Sequence, residues 1–140
     1  MKILVPVDGS PFTKRMLAYL AAHDEWLGPT QQYTLLHVAT PVPPRAAAVL
    51  DKATLQGYYA EESDKVFKPI RTFFKKQKIE AEFVAKTGAA SDVIAAVAAK
   101  GEFDLVMMGS HGHGLLGTLV LGSTTTKVMA HCKTPVLIIR

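Results

Sequence analysis

The sequence predicts an α/β protein built as a doubly wound, five-stranded parallel sheet with helices on both faces. Three observations carry that prediction. Five short, mostly apolar runs (KILVPV from Lys2, YTLLHV from Tyr33, AEFVAK from Ala81, LVMM from Leu105 and VLII from Val136) have the form of strands covered on both sides. Segments with helical spacing of apolar residues stand between them, the pattern of βαβ units. Behind the fourth run glycines gather: Gly109, Gly112, Gly114, Gly117 and Gly122 are half of the ten in the chain.

Taken in order, the first run ends in Asp8-Gly9-Ser10-Pro11, a turn followed by a helix start, with Ser10 as N-cap and Pro11 at the first helical position. Met16, Leu17, Leu20 and Ala21 then give one apolar face, and Gly28-Pro29 is expected to stop the helix. After the second run, Ala39 to Pro44 contains three prolines and continues neither a strand nor a helix. From about Ala46 to Lys78 one main helix is expected, kinked or started near Gly57 or Pro69. The third run is followed by an alanine-rich helix from Ser91 to Lys100 that Gly101 closes. Behind the glycine segment, Lys127 to His131 belongs to a last helix, and Thr134-Pro135 leads into the final strand.

At 140 residues the chain reads as a single domain, residues 1–140, able to bury about two-thirds of its unfolded surface. Apolar content of 49% with 20% charged residues is ordinary for a globular protein, and no run approaches the roughly eighteen apolar residues that span a bilayer. The opening MKILVPVDGS meets Asp8 too early for a secretory signal, so a cytoplasmic location is expected. Cys132 is the only cysteine, which excludes an intrachain disulfide and a cysteine-based zinc knuckle. The net charge of +4 raises nucleic acid as a partner. However, Lys65, Lys68, Arg71, Lys75, Lys76 and Lys78 fall opposite Val66, Phe67, Ile70, Phe73 and Phe74 on a helical wheel, which makes them a solvated face. No exposed aromatic stripe is interleaved with them, and nucleic acid is not the expected ligand.

Chemistry concentrates in the stretch LVMMGSHGHGLLGTLVLGSTTT, Leu105 to Thr126. Glycines behind a strand permit tight turns and leave N–H groups uncovered, and Gly122-Ser123-Thr124-Thr125-Thr126 reads as a helix start whose hydroxyls and N–H groups suit an anion. No Asp or Glu follows Asp104, so this segment sets no carboxylate against a phosphate. GxxxxGK[ST] fails for want of a Lys after Gly117. GxGxxG is met by Gly112-His113-Gly114-Leu115-Leu116-Gly117, but on the last βα unit and without the downstream acid that binds a ribose. That match is taken as chance.

A third spacing fits: Gly109, two residues, Gly112, nine residues, then Gly122-Ser123. It resembles the nucleotide-binding signature of the universal stress protein family, whose glycine clusters and Gly-Ser pair wrap the ribose and phosphates of ATP. The opening ILVPVDGS, the LLHV strand, DLVMMGSHG, LGST and the closing TPVLIIR also resemble blocks of that family, so the resemblance runs over the whole chain. It implies a strand order of 3-2-1-4-5 and an ATP-binding stress-response protein acting as a nucleotide-dependent switch or sensor. It also implies pairing of the C-terminal strand across a two-fold axis in a homodimer. The open alternative is an interaction protein of the same fold that binds no nucleotide, like the family branch lacking the signature.

The site residues implied are Pro6, Val7, Asp8, Val38, Gly109, His111, Gly112, Gly122, Ser123 and Thr124. Asp8 is carried over as a contact to the nucleotide or to its metal, and one carboxylate with phosphate oxygens would suit Mg²⁺ or Mn²⁺; it reads equally as a turn-forming cap before Gly9. Val7 and Val38 would wall a slot for adenine, or simply pack in the core, and Pro6 goes with them. His111 stands where many nucleotide-binding relatives have Arg, which weakens the charge expected on the phosphates at neutral pH. His111 and His113, with His37 or His131 as remote partners, lack the carboxylate or Cys that would complete a zinc site and read as rim residues. No nucleophile with a paired base and no Walker lysine is present, so at most slow ATP hydrolysis is expected.

Overall fold

The structure, a computed structural model, describes residues 1–112 and 121–140. Its strands are β1 (Lys2–Pro6), β2 (Gln32–Ala39), β3 (Ala81–Thr87), β4 (Leu105–Gly109) and β5 (Val136–Ile139). All pair in parallel in the order β3-β2-β1-β4-β5, as the resemblance implied. The helices are α1 (Pro11–Ala22), α2 (Pro44–Ala48), α3 (Lys52–Lys76), α4 (Ala90–Lys100) and α5 (Ser123–His131).

Alternation along the central strands sets two cores. Ile3, Val5, Val7, Leu35 and Met107 point to one face, where α1 (Met16, Leu20) and α3 (Phe67, Ile70, Phe74) cover them. Leu4, Leu36, Val106 and Met108 point to the other, under α4 (Ile94, Ala98) and α5 (Val128). Both faces are thereby buried, the condition under which short parallel strands are stable.

Local differences from the sequence reading have identifiable causes. Helix α1 ends at Ala22, short of Gly28-Pro29, where His23 Nδ1 donates to the Tyr19 carbonyl (2.8 Å), and a 3₁₀ turn over Asp24–Leu27 follows. The proline-rich stretch yields the short helix α2 after Pro43, since proline is compatible with a helix's first turn. Helix α3 passes through both Gly57 and Pro69. It starts instead at Asp51, whose carboxylate accepts the Thr54 N–H at 2.6 Å. Its basic residues are exposed and Phe67, Ile70 and Phe74 are buried, the arrangement expected from the wheel.

The chain winds from β1 through β2 to β3, then returns to place β4 on the other side of β1. That reversal leaves a crevice at the carboxyl ends of β1 and β4, the place where open α/β sheets bind ligands.

Candidate functional site

Two cavities meet at this crevice. The inner one, about 100 Å³, lies among the ends of β1, β2 and β4 and the first turns of α1 and α5; Pro6, Val7, Asp8, Val38, Gly109, His111, Gly112 and Thr124 line it. An outer groove of about 730 Å³ shares Asp8, Val38, Gly112 and Thr124 and adds Gly122 and Ser123. All ten residues singled out in the sequence therefore border one continuous depression. His113, Gly114 and Gly117 lie outside the described residues.

Asp8 ends up here because β1 stops at Pro6, two residues before it, and the chain turns sharply at Gly9, at φ +74°. Its Oδ1 accepts the Ser10 N–H at 3.0 Å and the Thr13 hydroxyl at 3.2 Å, while its own N–H reaches the Thr13 oxygen at 3.4 Å. The turn-forming reading of Asp8 is thus realised. Ser10, the expected cap, makes no side-chain cap bond; its hydroxyl is buried with no partner among the described residues. The other oxygen, Oδ2, faces Gly112, where a Cβ would sit 2.7 Å away.

The glycines are needed first by the protein's own packing. A Cβ on Gly109 would lie 2.8 Å from the Phe12 Cβ, which sets how closely α1 rests on β4. On Gly122 it would lie 3.1 Å from the His111 Cα and 3.3 Å from the Ser110 carbonyl, to which the Gly122 N–H donates at 2.7 Å. Bulk at Gly122 would displace the chain before it obstructed a ligand, so Gly122→Val is a poor probe of binding.

Gly122 caps α5, and the first intrahelical bond runs from the Thr126 N–H to the Gly122 carbonyl at 3.0 Å. The N–H groups of Ser123, Thr124 and Thr125 precede that bond, and Gly122 at the N-cap offers no side-chain cap. The Thr125 hydroxyl donates to the Gly109 carbonyl at 3.1 Å and that of Thr126 to the Gly122 carbonyl at 2.9 Å. Ser123, Thr124 and Thr125 line the groove, with the positive end of the helix dipole behind them.

The two valines part company. Val7 is 5% exposed and packs in the α1–α3 core, its N–H donating to the Leu36 carbonyl at 2.8 Å, whereas Val38 is half-buried and borders both cavities. His111 bonds Ser110 Oγ through Nδ1 at 2.9 Å and lies 5.0 Å from the Phe12 ring, over which the Arg15 guanidinium sits at 4.9 Å. His37 contributes to the groove beside Val38; its Nδ1 is 2.8 Å from the Ser63 hydroxyl, and burial holds its pKa below the ordinary 6.5 although Asp8 and Glu62 pull it upward. Among the described residues no three His, Cys, Asp or Glu side chains form a metal cluster.

Sequence reading missed one wall altogether. Tyr58, Glu62, Lys65 and Val66 of α3 line the outer groove opposite α5. Their i, i+4, i+7, i+8 spacing places them on one helix face, which was a usable signal, but nothing in the sequence says that this face looks toward Asp8.

The fold and this depression define a doubly wound α/β protein with a helix N-terminus aimed into the crevice at its switch point. The family model of the universal stress protein family matches residues 1–140. A universal stress protein of Thermus aquaticus, from the QAH/OAS sulfhydrylase 3′ region, is 30% identical over 149 residues, covering 99% of this chain and 97% of the relative. The solved UspA of Lactobacillus plantarum superimposes with a TM-score of 0.78 at 24% identity, over 100% of this chain and 97% of its own. An Arabidopsis thaliana family protein solved with AMP bound gives 0.70 at 16% identity, over 99% and 90%. The chain belongs to the universal stress protein family.

Proposed function

We propose that this protein binds adenine nucleotides, ATP with Mg²⁺ or Mn²⁺ among them, in the crevice between β1 and β4, and acts in the stress response as a nucleotide-dependent switch in the cytoplasm. The observation that carries the reading is the start of α5, where a glycine stands at the N-cap: Ser123 and Thr124, with N–H and O–H donors, line a groove whose inner end is the apolar slot beside Val38. A phosphate at the helix start with the base in the slot matches donors to anion and apolar walls to ring. The AMP bound to the Arabidopsis relative supports the same choice. A divalent cation, which offsets phosphate charge, would be held by Asp8 together with phosphate oxygens. Asp8 suits that limited part, since Oδ1 is already engaged by Ser10 and Thr13. The exposed edge of β5 is the surface through which two copies would pair.

Calorimetric titration with ATP, ADP and AMP at millimolar ligand tests the reading. Ser123→Pro removes one N–H and one hydroxyl at a position where proline suits a helix, and Gly122 before it already has φ −71° and ψ 162°, as proline requires. The variant should bind about tenfold or more weakly, the effect of losing a charge-assisted contact, while Lys75→Ala on the exposed face of α3 should bind like wild type. No heat with any nucleotide would leave the alternative, an interaction protein of this fold that takes no nucleotide.

A further inference from the structure

The charges around the outer groove oppose a bare polyphosphate. Asp8 borders it from β1 and Glu62 from α3, and both act on the His37 ring between them. Lys65 is the only Lys or Arg that lines either cavity among the described residues, and it is already shared: its Nζ lies 3.2 Å from Glu62 and 3.8 Å from Glu61. From Leu105 to Thr126 the chain contains no Lys or Arg, so the glycine segment adds no fixed cation. Arg15 is turned toward Phe12 and lines neither cavity. What remains positive is one helix N-terminus, equivalent to roughly half a charge.

Such a site matches one phosphate group and no more. A cyclic phosphodiester carries a single negative charge, a phosphomonoester close to two, and a triphosphate about four. Resting on the nucleotide-binding reading above, we infer that this groove selects adenine nucleotides by charge, with Glu62 as the residue that sets the discrimination. Cyclic AMP and AMP bind without metal, whereas ATP binds well only when a divalent cation accompanies it. Glu62 acts twice: its carboxylate repels the distal phosphates and it holds Lys65 away from them.

The test is titration of cyclic AMP, AMP and ATP at constant ionic strength, each with EDTA and with millimolar Mg²⁺, for wild type, Glu62→Gln and Glu80→Gln. Glu80 is exposed at the opposite end of the sheet and controls for net charge alone. The expected result is metal-free ATP weaker than AMP in wild type by about three- to tenfold, with Mg²⁺ closing the gap. Glu62→Gln should recover most of the metal-free ATP affinity while changing cyclic AMP by less than about twofold, and Glu80→Gln should do neither. Metal-free ATP binding as tightly as AMP, or Glu62→Gln shifting all three ligands alike, overturns the inference while leaving nucleotide binding intact. Failure of every nucleotide to bind refutes the underlying reading instead.

Discussion

Burial of the His37 imidazole between β2 and α3, against Ser63 and the edge of Phe67, makes the fold sensitive to mild acid. Its native pKa lies below the 6.5 of the unfolded chain, so as pH falls through 6.5 the unfolded state takes up more protons and stability drops; the loss levels off below the native value. Denaturant melts at about pH 7.5 and pH 5.5 should show wild type losing more stability than His37→Gln. Equal losses would sink the idea. Tyr33 is a second test of a buried polar group: burial pushes its phenol up to about 12, and the hydroxyl donates to the Trp26 carbonyl. Tyr33→Phe should cost about 0.5 to 1.5 kcal/mol, read from the same melts.

Helix α3 departs most from its local sequence preferences, carrying Gly57 and Pro69 within one 25-residue helix. Phe67, Ile70 and Phe74 seal one core, and that burial outweighs the penalties of a glycine and a proline. A Cβ at Gly57 would meet nothing within 4 Å. Gly57→Ala should therefore stabilise the protein by about 0.5 to 1 kcal/mol and raise its melting temperature by a few degrees. The opposite outcome is expected for Gly101→Ala, whose Cβ would lie 2.2 Å from the Phe103 ring. For α1, Asp8→Ala removes the acceptor of both Ser10 and Thr13 and should cost about 1 to 2 kcal/mol in thermal unfolding, whereas Ser10→Ala removes a buried hydroxyl with no partner among the described residues and should cost less.

At the scale of the molecule, β5 is a sheet edge with Val136, Leu137 and Ile138 only half-buried. The Val106 and Ser110 N–H groups donate to the Pro135 and Ile139 carbonyls, so alternation turns the main chain of Val136 and Ile138 away from β4. An edge of this kind needs covering, and a second copy across a two-fold axis is the proposed cover. Light scattering at micromolar concentration should give twice the mass of the chain, and Ile138→Pro, which removes an outward N–H without touching the bonds to β4, should give the monomer. A monomeric wild type ends the proposal. Deleting Val136 to Arg140 would be less informative, because it also strips Ile139 from the core.

Local chemistry made the strands, the helix starts at Pro11 and Ser123, and the glycine spacing legible, because periodicity, turn residues and N–H exposure act over a few neighbouring residues. The ten residues proposed for a site border one depression, at strand ends where a doubly wound sheet reverses. Sequence reading put the N-cap of α1 at Ser10, where the structure has it, but did not give the absence of a side-chain cap bond there, which follows from the Gly9 turn that sets Asp8 Oδ1 on the Ser10 N–H. It rightly found no carboxylate after Asp104, but that says nothing of carboxylates brought to the groove by other elements. Glu62 and Lys65 reach the groove only because Phe67, Ile70 and Phe74 rotate α3 against β2 and β3, and that rotation is fixed by packing between residues far apart in the chain. The sequence by itself determined the helix start at Gly122-Ser123; the charge on the wall opposite it was decided by tertiary contact.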